Sequence, residues 1–519
     1  MYLGTHAEAH PDRPAVIMAS TGDTITYREF EARANQLAHF LRSEGLERLD
    51  HYSIFMENNE WYMESCAAGE RTGQYYTCVN SFLTAEELAY ILTNSRSEVL
   101  ITSRAKAVVA VAALADAPNI RRVLVCGGVP DGIDDDRVVD FESTVRNLPE
   151  SPIADEQLGT PMLYSSGTTG RPKGILRPLP EQAPSELMPL FVFLLNLWKY
   201  REGMIYLSPA PLYHSAPQAA VSLTLRAGGT VIVMEKFDPI DYLRLIEQYS
   251  VTHSQLVPTM FSRMLKLTDA ERTQFDLSSL EFAVHAAAPC PVKVKEQMIA
   301  WWGPIIHEYY GATEGLGFAA CDSEQWLSHP GTVGKIVLGE VHVMDDDMHE
   351  VPNGTPGTLW FGSGSAFSYL DDPEKTKEST SPDGSMTTVG DIGYVDDDGY
   401  LYLTDRKTFM IISGGVNIYP QEIEDLLITH PKIFDAAVFG VPNEDLGEEV
   451  KAVVQVMPGI AADAALTEEL LQHCREHLSR QKVPRSIDYE AELPRLPTGK
   501  LYKRLLRDRY WGDSTSRIV

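Results

Sequence analysis

The stretch Glu98-Val-Leu-Ile-Thr-Ser103, Ala105-Lys-Ala-Val-Val-Ala-Val-Ala-Ala-Leu-Ala115 and Arg121-Arg-Val-Leu-Val-Cys126 decides the fold class. Two short apolar, β-branched runs flank an alanine-rich segment that is too long for a strand and suits a helix. Apolar runs without polar alternation read as strands covered on both faces, the pattern of parallel sheets in α/β proteins. The rhythm extends upstream. Thr26-Tyr-Arg-Glu29 forms a capping box ahead of Phe30, Ala34, Leu37, Ala38 and Leu41 at helical spacing, with Gly45 as a stop. Residues 51–56 and 75–80 read as extended, a helix-like stretch starts at Glu60, and Thr84-Ala-Glu-Glu87 opens another helix. Downstream the alternation returns as a strand over 230–235, a helix over 242–248 and a strand leading into Ala286-Ala-Ala288.

Around this core the chain is long, 519 residues, so a large body with a further module is expected. A composition of 44% hydrophobic and 23% charged residues excludes disordered, collagen-like and small disulfide-framework proteins. The net charge of -29 disfavours nucleic acid as a partner. Six scattered cysteines without a CxxC pair fit reduced thiols, hence a cytoplasmic location. The N-terminal stretch lacks a basic region followed by an apolar one, so no secretory leader is expected. The most apolar run, residues 187–198, falls short of the roughly 20 residues of a membrane span and reads as a buried helix. Charge also marks a boundary: residues 406–519 carry 15 basic and 17 acidic groups, so nearly all of the negative excess lies before them. Residues 480–519 are locally basic, with 10 basic and 5 acidic groups. A basic tail on an acidic protein suits either contact with phosphate or a solvated helix face.

The chemistry concentrates in Tyr164-Ser-Ser-Gly-Thr-Thr-Gly-Arg-Pro-Lys-Gly174. Hydroxyls and glycines ahead of a lysine make a loop of N–H and O–H donors able to wrap a polyphosphate. A Walker A loop would place Ser or Thr directly after the lysine, whereas Gly174 follows Lys173.

This loop resembles the phosphate-binding signature of the AMP-forming adenylating superfamily, which comprises acyl-CoA synthetases, peptide-synthetase adenylation domains and firefly-type luciferases. Four further signatures follow in the superfamily's order: Tyr310-Gly-Ala-Thr-Glu-Gly315, Gly390-Asp-Ile-Gly393, Asp405-Arg-Lys-Thr-Phe-Met-Ile-Ile-Ser-Gly-Gly415 and Leu496-Pro-Thr-Gly-Lys500. The resemblance spans almost the whole chain and is nearest to ligases of fatty and other hydrophobic acids.

The resemblance implies an α/β fold with a large multi-sheet N-terminal domain over 1–404 and a small mobile α+β lid over 405–519. It assigns ATP phosphates to Ser165, Ser166, Gly167, Thr168, Thr169, Gly170 and Lys173, with Thr168 also counted as catalytic. Tyr310 and Gly311 would face adenine, Thr313 the α-phosphate and Glu314 the Mg²⁺ ion. Asp391 and Arg406 would hold the ribose, and Ala287 would line the adenine and acyl pockets. His214 would sit at the floor of the acyl pocket. Lys500 would bridge the carboxylate and the α-phosphate during adenylation, and Ser413, Gly414 and Gly415 would line the pantetheine channel. Taken singly, several of these have plainer readings: Glu314 as a turn residue, Asp391 in an Asx-turn, Lys500 as a solvated lysine. The hinge departs from the family, with Thr408 where Asp or Lys is usual and Phe409 where Asp is frequent.

The expected reaction is RCOO⁻ + ATP → RCO–AMP + PPi, followed by transfer of the acyl group to coenzyme A. The acid expected is a medium or long fatty acid or a bulky alicyclic, steroid-type acid. No Asp stands near Pro211-Leu-Tyr-His-Ser215 to pair with a substrate amine, which argues against an α-amino acid. An aryl-acid ligase, a ligase that delivers acyl-AMP to a carrier protein, a luciferase-like oxygenase and a silent nucleotide-binding scaffold remain alternatives. The resemblance leaves the oligomeric state open, a homodimer included.

Overall fold

Six strands, Val138–Asp140, Arg122–Cys126, Val99–Ser103, His51–Phe55, Tyr75–Cys78 and Thr160–Pro161, lie side by side in that order, every neighbouring pair parallel. The stretch that opens the reading of the sequence thus forms the heart of a parallel sheet, joined by the helix Ala107–Ala113. Val99, Leu100 and Ile101 have no exposed surface, as strands covered on both faces require. Ala107, Ala110 and Ala113 pack with Leu100, Val123 and Val125 in one apolar cluster.

The computed structural model describes residues 2–165, 172–186, 188–362, 367–406, 409–414, 416–443, 445–495 and 501–511, with Ser165, Asp405 and Arg406 described by backbone alone. It divides into two compact units. The first comprises Met1–Leu256, Leu267–Val284 and Ser365–Lys377; the second comprises Val257–Lys266, His285–Gly364 and Glu378–Val519.

The first unit adds two more sheets. Strands His253–Leu256, Ile205–Ser208, Thr230–Val233 and Pro14–Met18 run parallel, with Thr24–Thr26 antiparallel at the edge. A small antiparallel sheet joins Ser368–Tyr369, Lys173–Leu176 and Leu163–Ser165. Both expected capping boxes form: Thr26 with Glu29 opens the helix Tyr27–Ser43, and Thr84 with Glu87 opens Ala85–Asn94. The apolar run yields a nine-residue helix, Pro189–Leu197, and no helix of the described residues is long and apolar enough to cross a membrane. Of that helix only Leu195 is fully buried, so the expectation of a buried helix holds in part.

The second unit is mainly antiparallel. One sheet runs Glu340–Met344, Gly357–Gly362, Asp391–Val395, Tyr400–Arg406, Gly334–Leu338, Phe318–Cys321, Ile306–Gly311. Near the C-terminus, Val416–Ile418, Ile411–Ser413, Gly447–Val456 and Ile433–Asn443 form a second sheet, and Ser486–Tyr489 adds to Gly447–Val456 in parallel. Helices Pro420–Ile428 and Ala464–His477 bury Ile423, Leu427, Leu466 and Leu470 against it. All six cysteines are free; Cys290 is half-buried and the other five are buried.

Candidate active site

Strands Leu163–Ser165 and Lys173–Leu176 pair with Lys173 opposite Ser165 and Gly174 opposite Tyr164. The two strands that flank the donor-rich segment are thus paired antiparallel. Ser166, Gly167, Thr168, Thr169 and Gly170 themselves lie outside the described residues, as does the side chain of Ser165. The pair is held from behind: Tyr164 Oη donates to Asn94 Oδ1 at 2.7 Å, and Tyr90 Oη donates to the Pro172 carbonyl at 3.0 Å. A Cβ on Gly174 would lie 3.2 Å from the Tyr164 ring, so glycine lets the two strands close. Lys173 Nζ bonds the carboxylate of Asp372, which also accepts from the Lys375 amide at 2.9 Å. These bonds, the one from Lys173 first, hold the Asp372 carboxyl below the usual range. Asp372 had no signal in the sequence. It is the partner that holds the Lys173 ammonium.

His214 is the N-cap position of the helix Ser215–Ala227, and its ring centroid lies 4.4 Å from that of Tyr213. What fixes this turn is the buried amide of Asn58. Its Nδ2 donates to the carbonyls of Ala210 at 3.0 Å and Met234 at 2.9 Å, and its Oδ1 accepts from the Leu212 amide at 2.8 Å. One side chain thereby ties the segment leading into His214 to the end of the strand Thr230–Val233. Sequence reasoning missed Asn58, because a lone Asn carries no periodicity.

In the second unit the strand Ile306–Gly311 delivers Tyr310 and Gly311, and a tight turn follows, closed by the Gly315 amide donating to the Ala312 carbonyl at 2.9 Å. Gly315 has φ +77°, a conformation glycine adopts without strain. Thr313 is half-buried on this turn, and Glu314 is buried. The phenol of Tyr310 donates to Asp391 Oδ2 at 2.7 Å, which joins the two residues expected to face adenine and ribose. Asp391 opens a strand whose register sets it opposite Arg406. Ala287 holds φ +75°, a left-handed value that a non-glycine residue rarely adopts and that marks functional segments more often than packing ones.

Ser413 ends the strand Ile411–Ser413, and Gly414, at φ +57°, turns the chain with its amide on the Leu446 carbonyl at 2.9 Å. Gly415, Thr408 and Lys500 lie outside the described residues. Arg495 and Leu501, on either side of the segment that bears Lys500, pair in an antiparallel bridge. Phe409, the unusual residue near the hinge, lies under the ammonium of Lys503 at 5.4 Å, and Lys503 pairs with buried Glu424 at 2.9 Å. The Phe409 ring thus offers an aromatic face to a cation that is already paired.

The chemistry of the donors fits Mg²⁺. Among the described residues no three His, Cys, Asp or Glu side chains form a metal cage. The single buried carboxylate of Glu314 on a turn suits an ion that keeps several waters and is otherwise held by substrate phosphates.

Comparison with known proteins agrees with this arrangement. The family described as AMP-binding enzyme matches residues 3–369, and its C-terminal domain matches residues 422–500. The fatty acid–[acyl-carrier-protein] ligase ScoC of Streptomyces coeruleorubidus is 30% identical over 99% of this chain and 96% of its own. The medium/long-chain-fatty-acid–CoA/3-oxocholest-4-en-26-oate–CoA ligase of Mycolicibacterium smegmatis is 30% identical over 98% of this chain and 95% of its own. The crystal structure of ATP-bound MatB from Rhodopseudomonas palustris superimposes with a TM-score of 0.81 at 27% identity, covering 98% of this chain and 99% of that one. The chain belongs to the AMP-binding enzyme family, and within the adenylating superfamily it is an AMP-forming acyl-CoA synthetase.

Proposed function

We propose that the enzyme activates a hydrophobic carboxylic acid, a medium or long fatty acid or a bulky steroid-type acid, and passes it to coenzyme A. ATP, Mg²⁺ and coenzyme A serve the reaction. The observation that carries the reading is the Tyr310–Asp391 hydrogen bond, because it joins an aromatic face and a carboxylate suited to ribose from two strands of one sheet, with Glu314 on the turn that follows Tyr310.

In this reading Tyr310 and Ala287 enclose adenine, while Asp391 and Arg406 take the ribose hydroxyls. The segment 165–170, with Lys173 released from Asp372, cradles the phosphates, and Thr313 orients the α-phosphate. Mg²⁺, held by Glu314, would supply charge neutralisation at the phosphates. His214 lies by the acid's carboxylate, and Lys500 offsets charge as the carboxylate oxygen meets the α-phosphorus. A lid over 405–519 then turns on a hinge near Arg406, withdrawing Lys500 and bringing Ser413, Gly414 and Gly415 beside the pantetheine arm. Six free thiols support a cytoplasmic enzyme. Transfer to a carrier protein is the second reading, favoured by the likeness to ScoC.

Pyrophosphate release across fatty, steroid-type and aryl acids, with and without coenzyme A, tests the proposal. Hydrophobic acids should be used best, and coenzyme A should raise turnover. A preference for aryl or small polar acids would overturn the acid class. Indifference to coenzyme A would shift the acceptor to a carrier protein.

A further inference from the structure

Three ionisable side chains of the second unit sit in its dry interior, and none of them belongs to the reaction as described. His285 and Lys295 have no exposed surface, and Glu308 is 4% exposed. Lys295, on the helix Val292–Trp302, donates to Glu308 Oε2 at 2.5 Å, with its ammonium 4.8 Å from the Trp326 ring. His285 Nε2 lies 3.5 Å from the same carboxylate oxygen, and the His285 ring meets Phe261 edge-on at 5.3 Å. Burial, followed by the charge of Lys295, holds the imidazole well below its usual pKa, so His285 is neutral. Burial pushes the Glu308 carboxyl up, while the bond from Lys295 opposes that shift.

Stability alone does not explain the cluster. Apolar residues of similar volume often serve a core as well as a buried ion pair or better, because desolvation offsets the Coulomb gain. The surroundings offer another account. His285 closes the strand Phe282–His285, and Glu308 lies on the strand Ile306–Gly311. Ala287, with its left-handed backbone, stands two residues beyond His285; Tyr310 stands two residues beyond Glu308, on the same face of the strand. The carboxylate bonded to Lys295 therefore packs at 3.5 Å against a His285 ring that makes no hydrogen bond among the described residues, two residues before Ala287 on one segment and Tyr310 on the other.

We propose that His285, Lys295 and Glu308 form a buried positioning network that sets the spacing between Ala287 and Tyr310, and with it the width of the slot that receives the adenine ring. The network touches neither substrate nor nucleotide. It acts through the two strands, and it rests on the reading of Ala287 and Tyr310 as nucleotide contacts. Because the carboxylate of Asp391 is bonded to Tyr310, a displaced Tyr310 would carry the ribose acceptor with it.

The experiment measures KM for ATP and for the acid separately, together with Tm, in Glu308→Gln and in the double variant Lys295→Met/Glu308→Leu. The double variant leaves no uncompensated ion in the core, so it remains informative where the single variant fails to fold. Both variants should raise KM for ATP about tenfold while KM for the acid stays within about twofold, since a lost bond to a charged group is worth about one decade or more. In the double variant Tm should return to that of the parent while KM for ATP stays raised. Recovery of KM for ATP together with Tm, or equal rises for ATP and acid, would reduce the cluster to core packing. Tyr310→Ala serves as the control. An unchanged KM for ATP in that variant would overturn the nucleotide assignment itself, whereas a raised KM there with normal values in the network variants would overturn the network alone.

Discussion

The phenolic oxygen of Tyr310 and Oδ2 of Asp391, 81 residues apart in the chain, lie 2.7 Å apart, with the phenol donating. In the proposed reading, the ring that stacks on adenine also orients the carboxylate that takes the ribose. Tyr310→Phe should preserve the stack and release the carboxylate. AMP affinity by calorimetry should fall about tenfold, the worth of one charge-assisted hydrogen bond. A double-mutant cycle with Asp391→Asn should show coupling; strictly additive losses would mean that the two residues act independently.

Glu314→Ala should move the Mg²⁺ titration of pyrophosphate release to higher concentration. The side chain is buried on a turn closed by Gly315, so its removal leaves the turn's backbone bonds in place. An unaltered Mg²⁺ dependence would leave Glu314 as a turn residue.

Lys500→Ala should separate the half-reactions. Adenylation should drop by about 10²–10³, the usual effect of losing one preorganised electrostatic donor. Thioester formation from synthetic acyl-AMP and coenzyme A should stay near normal, because the proposed lid movement withdraws the lysine before that step. Equal damage to both steps would show that Lys500 merely holds the lid together.

Limited proteolysis without ligand should cut near residues 404–410, where the proposed body and lid join. Protection of that segment, with cleavage only at distant loops, would count against a mobile lid.

His51 provides a pH test of the fold. Its ring stacks on Tyr75 at 5.0 Å, and Nδ1 has no hydrogen-bond partner among the described residues. Burial, and then the charge of Arg96, lower its pKa to about 4. The unfolded chain takes up a proton near pH 6.5 that the folded chain refuses, so this contribution is complete above pH 6.5 and is lost as pH falls through about 4. Urea unfolding at the two ends of that window should show the parent losing about 3 kcal/mol more than His51→Phe, which keeps the stack. Parallel losses in the two proteins would remove His51 as the source.

What was legible in the sequence is what short-range pattern encodes. The parallel strands on either side of Ala107–Ala113 follow from unbroken apolar runs, and the helix starts at Thr26 and Thr84 follow from capping boxes three residues long. The motifs proposed to hold the nucleotide are readable because each is contiguous, and the family they point to is the one that matches. The partners of those motifs were not legible. Asn58 reaches Leu212 across 154 residues, Lys173 finds Asp372 across 199, and Phe409 finds Lys503 only after the C-terminal sheet has folded. A single polar residue has no period, and its role depends on where a distant strand ends. The half-exposed helix Pro189–Leu197 shows the opposite error: high apolar content was read as full burial, although only Leu195 is fully covered.

Five of the six thiols are buried, and the sixth, Cys290, is half-buried. Burial pushes the thiols of Cys66, Cys126 and Cys290 well above their usual range, Cys321 to about 12 and Cys474 to about 11. An acyl-adenylate is a mixed anhydride that any nearby thiolate would discharge, and a thiol kept protonated attacks slowly. Holding these five thiols in the protonated form disfavours self-acylation relative to attack by the thiol that arrives with the second substrate.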